Sequence, residues 1–420
     1  MSRRPLPLAL YAAATGLMAP FAPALLRNRA RHGKEDPTRL GERLGRAGHP
    51  RPKGPLVWLH GVSVGETQSL LPLIEALRRR RPDLALLVTS GTRTAAELLA
   101  TRLPHGVLHQ YAPLDTPGAV AGFLDHWRPG AGILVESELW PNLILAAKAR
   151  GVRLALLSAR MTEHSARGWA RTPASARAVV GAFDAILPQD AATADRLARL
   201  GAAPGPPLNL KLVGAPLAVD PAELKRLEAA LAGRKVVLAA STHPGEELAI
   251  ALTVTGYTPA DLLIVAPRHP ERGAELAETL AGFQPARRSL GQPIATDARV
   301  YLADTLGEMG LFLRLAHVVV MGGSFVERVG GHNPMEAARL GKPIVTGPQA
   351  ANARTIYDEM LAEVAVLEAE TADDLARHVR GLLANPRIAR RIGEAALSFA
   401  ERQGAALDEA LALLDPLLPA

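Results

Sequence analysis

From residue 56 onward, short runs of leucine and β-branched residues alternate with longer stretches of helical periodicity. That alternation constrains the chain more than any other feature, because βαβ units around parallel sheets satisfy it and little else does. The pattern predicts strands over 56–59, 84–88, 131–135 and 154–157, separated by helices over 66–80, 93–103 and 141–150. Between residues 202 and 221 the helical signal stops, and Pro-Gly-Pro-Pro, Gly-Ala-Pro and Asp-Pro follow one another, as expected of a hinge. The alternation resumes with strands over 235–240, 262–266, 299–302, 317–321 and 343–345. A chain of 420 residues exceeds one ordinary core. Two α/β, doubly wound lobes are therefore expected, with a ligand at the carboxyl ends of their strands in the cleft between them.

Residues 317 to 347 interrupt two such strands with glycine. An apolar run ends at Met321, and Gly322, Gly323 and Ser324 then turn the backbone with no Cβ at the two glycines. Gly330 and Gly331 follow, and Asn333-Pro334 opens a predicted helix, proline being suited to a first turn. A helix start offers unpaired N–H groups and a positive dipole end to an anion, and Glu336, one turn in, suits two sugar hydroxyls. Four further loops follow predicted strands: 241–247 with Ser241 and Thr242, 267–272 with Arg268 and His269, then 304–309 and 347–352. Arg268 suits bidentate pairing with a phosphate. Each loop also has an ordinary alternative: helix capping for 241–247 and 304–309, a surface salt bridge for Arg268, a plain loop for 347–352. Their recurrence at successive strand ends points to a nucleotide-sugar site.

The first half carries a different motif. Residues 58–66 leave a strand, pass Gly61 and Gly65, and open a helix at Glu66. Ser63-x-x-Glu66 matches a capping box, with Glu66 reaching back to the Ser63 N–H. It equally matches a general base facing the cleft, kept ionised by the helix dipole. At another predicted strand end, Glu136, Glu138 and Trp140 place two acids beside a ring on which a sugar can stack, although core packing is the commoner fate of tryptophan.

Cysteine is absent, which excludes disulfides and thiolate metal sites. The histidines at 60, 243, 269 and 332 lack ligand spacing, and no Asp-x-Asp pair is present, so a metal-independent reaction without a cofactor is expected. The formal charge of +7 comes largely from clustered arginine. Arg3 and Arg4 precede an uncharged apolar segment over residues 5–26, and Arg27, Arg29, Arg31 and Lys34 follow it. The segment is long enough to span a bilayer, but Pro7, Gly16, Pro20 and Pro23 predict a poor regular helix. An uncleaved anchor or interfacial segment with the body in the cytoplasm is the expectation, a core-docked helix the alternative. Arg78, Arg79, Arg80 and Arg81 either meet phosphates or answer a helix dipole.

Taken together the motifs resemble the 3-deoxy-D-manno-octulosonic acid (Kdo) transferases, inverting glycosyltransferases of the two-lobed GT-B type. The resemblance rests on Glu42-Arg43-Leu44-Gly45, Ser63-Val64-Gly65-Glu66, Pro113-Leu114-Asp115, Glu138-Leu139-Trp140-Pro141-Asn142, Ser158-Ala159-Arg160, Asn209-Leu210-Lys211, Ser241-Thr242-His243, residues 267–272, residues 304–308 and Gly330-Gly331-His332-Asn333-Pro334. It implies transfer of Kdo from CMP-Kdo to the lipid A precursor (lipid IVA) in lipopolysaccharide biosynthesis, at the cytoplasmic side of the inner membrane and its anionic lipids. It makes Glu66 the catalytic base and assigns the donor to Ser241, Thr242, Arg268, His269, Gly323, Ser324, Asn333 and Glu336. Ser63, Gly65, Glu138, Trp140 and Lys211 are taken as acceptor or cleft residues. The implied division is an anchor over 1–30, an acceptor-binding domain over 31–210, a CMP-sugar domain over 211–395 and a C-terminal helix over 396–420. Where the family reads Gly-Asn-Leu-Lys-Phe-Asp, this chain has Leu208 and Val213 at the two ends, which leaves the geometry there open.

Two other readings compete. A two-lobed transferase or epimerase using a UDP-sugar would differ in the nucleotide that protects it from heat. A silent basic module for anionic lipid or nucleic acid fits the charge, but lacks aromatics interleaved with basic residues and leaves the strand-end glycines without purpose. Nucleic acid is therefore not expected as a partner.

Overall fold

The computed structural model describes residues 4–257 and 261–420, so Arg3 lies outside it. The chain forms two compact units, one of Met1–Gly214 with Gln403–Ala420 and the other of Ala215–Arg402. The first is built on β1 (Leu56–His60), β2 (Ala85–Ser90), β3 (Leu108–Tyr111), β4 (Ala131–Val135), β5 (Arg153–Ala159) and β6 (Ala185–Pro188). Their order is β3-β2-β1-β4-β5-β6 and every pairing is parallel. Helices cover both faces, so β1 and β4 are buried along their whole length, as their unbroken apolar sequences require. On one face Trp58, Phe123 and Trp127 pack together. On the other, Leu70 and Ile74 pack with Leu407, Leu411 and Leu414 of the last helix. That helix begins at Pro386, ten residues before the position read from sequence.

The second unit has β7 (Val236–Thr242), β8 (Leu262–Pro267), β9 (Ala286–Arg287), β10 (Val300–Leu302), β11 (Val318–Met321), β12 (Ile344–Thr346) and β13 (Leu367–Glu368). The order is β13-β12-β11-β7-β8-β10-β9, again all parallel. Parallel strands put every carboxyl end on one edge of a sheet, and both units show backbone strain there. Glu136 after β4, Ser158 in β5 and Ser241 in β7 have φ of 60°, 51° and 57°. Non-glycine residues enter that region at a cost, and such costs collect at functional edges.

The N-terminal segment forms Leu6–Met18, a short 3-10 turn Ala19–Phe21 and Ala22–Arg31. The prolines do not ruin it as expected, because each falls in the first turn of a new segment, where its missing N–H has no partner to lose. Over Leu6–Arg31 the run is long and apolar enough to cross a membrane, and about one-tenth of its most apolar window (11%) is buried. Leu8 and Leu26 face the protein, whereas Leu6, Leu10, Leu17, Met18, Phe21 and Leu25 are exposed.

Candidate active site

In the first unit, β1 delivers Glu66 to the strand-end edge. Helix Val64–Arg80 starts four residues beyond the strand, and Ser63 caps it by accepting the Glu66 N–H at 3.4 Å. The reciprocal bond differs from the predicted box. Glu66 Oε2 accepts the Val62 N–H at 2.7 Å, not that of Ser63, and Oε1 accepts the Ser63 hydroxyl at 2.7 Å. Gly61 permits this, since a Cβ there would meet the Glu66 Cβ at 3.1 Å and Val135 at 3.2 Å. Among the described residues no cation pairs with Glu66, and the side chain is half-buried. A Cβ at Gly65 would meet nothing within 4 Å, so local packing does not explain that glycine.

The end of the neighbouring strand β4 adds charge. Glu138 is buried and accepts the indole N–H of Trp140, whose ring is 42% exposed and so available for stacking. Glu136 pairs with Lys211 at 2.6 Å. Sequence reasoning weighed His60, the last residue of β1, only as a metal ligand. Its Nδ1 lies 2.8 Å from the Thr89 hydroxyl, and its buried Nε2 has no hydrogen-bond partner but lies 3.6 Å from Glu138 Oε2. The available signal was a histidine closing a strand of otherwise unbroken apolar character.

Several of the quoted motifs turn out to hold the framework. Buried Glu42 accepts two N–H groups of Arg39 and the backbone N–H of Tyr111. Asp115 accepts the N–H groups of Asn142 and Leu143 at the start of helix Pro141–Ala149, together with the Tyr11 hydroxyl. Leu208 and Val213, where the chain departs from the family pattern, are buried among the apolar residues behind the first sheet. Arg80 pairs with Asp415, and Arg81 pairs with Asp83 and the Pro419 carbonyl, so these two arginines fasten the chain's C-terminus.

The second unit gathers the donor candidates on the ends of β7, β8 and β11. Thr242 is fully buried and its hydroxyl has no partner. Arg268 and His269 are exposed just beyond β8. Glu246 is buried and accepts the N–H groups of His243, Gly323 and Phe325, clamping the β7 loop to the β11 loop. Burial pushes its carboxyl above the ordinary range, against those three bonds. The clamp consumes the Gly323 N–H. Ser324 is likewise turned to the protein, accepting the Gly347 N–H at 2.7 Å and donating to the Met321 carbonyl at 2.6 Å. The Gly323 N–H and the Ser324 hydroxyl are thus engaged in shaping the loop. Asn333 caps Met335 at 2.9 Å, but the helix it opens, Met335–Ala338, is a single turn and supplies little dipole. Glu336 is exposed, yet the surrounding protein raises its carboxyl, opposed by Arg339 and Arg268.

Three imidazoles converge in this loop cluster. His243 Nε2 and His332 Nε2 are 2.8 Å apart with their rings stacked, and His269 stands edge-on to His243. One Nε2 of the pair must carry the hydrogen and the other accept it. Burial, with the cationic neighbours, lowers both, His332 to about 4. Among the described residues, no group of three or more His, Cys, Asp or Glu side chains has the geometry to hold a metal ion.

A family model for 3-deoxy-D-manno-octulosonic-acid transferase matches residues 38–212. The 3-deoxy-D-manno-octulosonic acid transferase of Rickettsia bellii is 32% identical over 419 residues, which is 98% of this chain and 99% of that one. The chain belongs to the Kdo transferase family. It is a glycosyltransferase. Among solved structures, the C-terminal CMP-Kdo binding domain of WaaA from Acinetobacter baumannii is 37% identical, covering 42% of this chain and 97% of its own, with a TM-score of 0.40. UDP-GlcNAc 2-epimerase from Neisseria meningitidis, 12% identical, covers 86% of this chain and 99% of its own with a TM-score of 0.57. That likeness shows the fold of this transferase, two Rossmann-like parallel α/β domains of the GT-B type.

Proposed function

We propose that this transferase moves Kdo from CMP-Kdo to a hydroxyl of the lipid A precursor lipid IVA, with inversion and without a metal, in lipopolysaccharide biosynthesis. The observation that carries the proposal is the Glu66 carboxylate, held at the end of β1 by two neutral donors, Val62 N–H and Ser63 O–H, with no described cation to neutralise it. Such a carboxylate is fixed in place with no ion-pair partner, as a general base requires. The acceptor hydroxyl oxygen bonds to the anomeric carbon of Kdo as the bond from that carbon to the CMP phosphate oxygen breaks. Glu66 takes the proton, and the electron pair leaves with CMP. A single displacement inverts the centre and needs no covalent intermediate. On the donor side, Thr242, Arg268 and the imidazoles of His243, His269 and His332 supply the donors and positive charge for the phosphate, and Glu336 accepts from ribose hydroxyls.

The N-terminal segment supports the membrane part of the proposal, with the catalytic units on the cytoplasmic side of the inner membrane. Tyr11 donates to Asp115, while Arg4 and Thr15 share Asn142, so one side of the segment is fastened to the protein by polar contacts. Its exposed leucines, Met18 and Phe21 are left for lipid. A segment held in this way lies in the interface rather than crossing it.

Purified protein supplied with CMP-Kdo and lipid IVA is expected to form the Kdo-bearing product. Glu66→Gln should lower kcat by about 10²–10⁴-fold while leaving CMP binding unchanged. An inactive but folded wild type would refute the assignment of substrates, and an active variant would remove Glu66 from its role.

A further inference from the structure

A cavity of about 500 Å³ opens in the second unit, lined by Ala218, Asp220, Glu223, Arg288, Glu308 and Leu311 among others. Its size is that of a small-molecule site. It lies at the carboxyl edge of the sheet, since Arg288 directly follows β9 and Glu308 lies six residues beyond the end of β10. β10 pairs with β8 and β8 with β7, so its loop stands two strand spacings, about 10 Å, from the end of β7 where Thr242 stands. A mononucleotide can bridge that distance, with its phosphate at one end and its base at the other.

The cavity wall is assembled from both sides. Asp304, wholly buried, pairs with Arg287 and accepts the backbone N–H and hydroxyl of Ser289, which fixes the residues on either side of Arg288. Arg288 then grips Glu308 through two N–H groups, at 3.0 Å and 2.5 Å, and pairs with Glu223 at 2.6 Å. Glu223 also takes Arg226, and Thr305 donates to Glu308. Both carboxylates stay ionised: hydrogen bonds from Arg226 and then Arg288 bring Glu223 to about 2, and Arg288 holds Glu308 below its ordinary value. A carboxylate has about four acceptor sites, and these partners use about three on each. Acceptor capacity therefore remains on two rigid, anionic groups at the cavity wall.

Resting on the CMP-sugar reading above, we infer that Glu223 and Glu308, held in position by Arg288, recognise the exocyclic amino group of the cytosine base. Cytosine presents N4–H₂ as a donor where uracil presents the O4 acceptor. The first satisfies a carboxylate and the second repels it, so the cavity selects CMP over UMP by charge and hydrogen bonding together. A site built around a hydrogen bond discriminates strongly against the analogue that cannot make it.

Calorimetric titration of the full chain with CMP and with UMP tests this. The wild type should prefer CMP by tenfold or more, and Glu308→Gln with Glu223→Gln should bring the two nucleotides within about threefold while Glu66-dependent chemistry retains its pH profile. Glu308→Gln alone, with its thermal midpoint measured, serves if the double variant does not fold, and it should at least halve the preference. Equal weakening of both nucleotides, or an unchanged ratio, overturns the inference and leaves the donor reading standing. A wild type that binds neither nucleotide, or prefers UMP, overturns the donor reading itself.

Discussion

At the residue scale, the decisive groups are those whose hydrogen-bonding capacity the fold leaves unspent. A strand followed by Gly-Gly-Ser is open to a phosphate by its backbone, but no sequence pattern shows that Glu246 takes the Gly323 N–H and the Met321 carbonyl takes the Ser324 hydroxyl. Thr242, with a buried hydroxyl lacking a partner, is the stronger candidate. Glu66 was legible as either cap or base, and the structure shows one carboxylate accepting from Ser63 and Val62 in a way that serves both. The His243–His332 contact was not legible, because the two residues meet only when β7 and β11 pair. It carries a prediction. Both imidazoles are neutral at pH 7 since burial, with Arg268, Arg272 and His269 nearby, lowers them. A bound phosphate favours the protonated pair, so binding takes up a proton and tightens as pH falls from 7 toward 5, by up to about one decade per unit. The comparison of wild type with His332→Gln cancels the titration of the nucleotide itself, and equal slopes for the two proteins would exclude the pair from the site.

At the element scale, length and burial decide what a sequence reveals. The long, unbroken apolar strands β1, β4, β7, β8 and β11 were all legible, whereas β3, β6, β9 and β13 were not. These four lie at sheet edges, and β3 runs Leu-His-Gln-Tyr, with no alternation or apolar run to betray it. Helix ends behave similarly. The start of Pro141–Ala149 depends on Asp115, 26 residues earlier, which takes two of its free N–H groups and the Tyr11 hydroxyl of the N-terminal segment. Asp115→Ala leaves all three donors without this partner, and should cost about 1–3 kcal/mol by denaturant titration, with Asp115→Asn costing less. The exposed face of the N-terminal segment makes a separate prediction. Replacing Leu10, Leu17 and Phe21 by serine removes apolar area that touches no core, so flotation with anionic vesicles should be lost while the thermal midpoint holds. Retained flotation would place the membrane contact elsewhere.

At the scale of the whole molecule, the division into two units determines how acid acts on the protein. His109, in the first unit, has Arg39 guanidinium nitrogens 3.3 Å from Nδ1 and the Ser90 hydroxyl 2.9 Å from Nε2. Arginine only donates, so Nδ1 must accept and the single ring hydrogen sits on Nε2. Desolvation first, then Arg39 and His49, lower this imidazole to about 3 from an ordinary value of 6.5. The folded protein thus keeps His109 neutral where the unfolded chain would protonate it. The stability this represents is fully present above pH 6.5 and is lost as pH falls toward 3, with about 2 kcal/mol gone by pH 5. All four tryptophans, Trp58, Trp127, Trp140 and Trp169, belong to the first unit. Tryptophan fluorescence therefore reports its unfolding alone, even if the two units melt separately. Between pH 7 and pH 5 the urea midpoint read by fluorescence should drop for the wild type and drop by much less for His109→Gln, which keeps a side chain able to accept from Arg39 and donate to Ser90 without a proton to gain. A variant that loses as much as the wild type would assign the acid sensitivity to other groups and show that His109 is already protonated in the folded state.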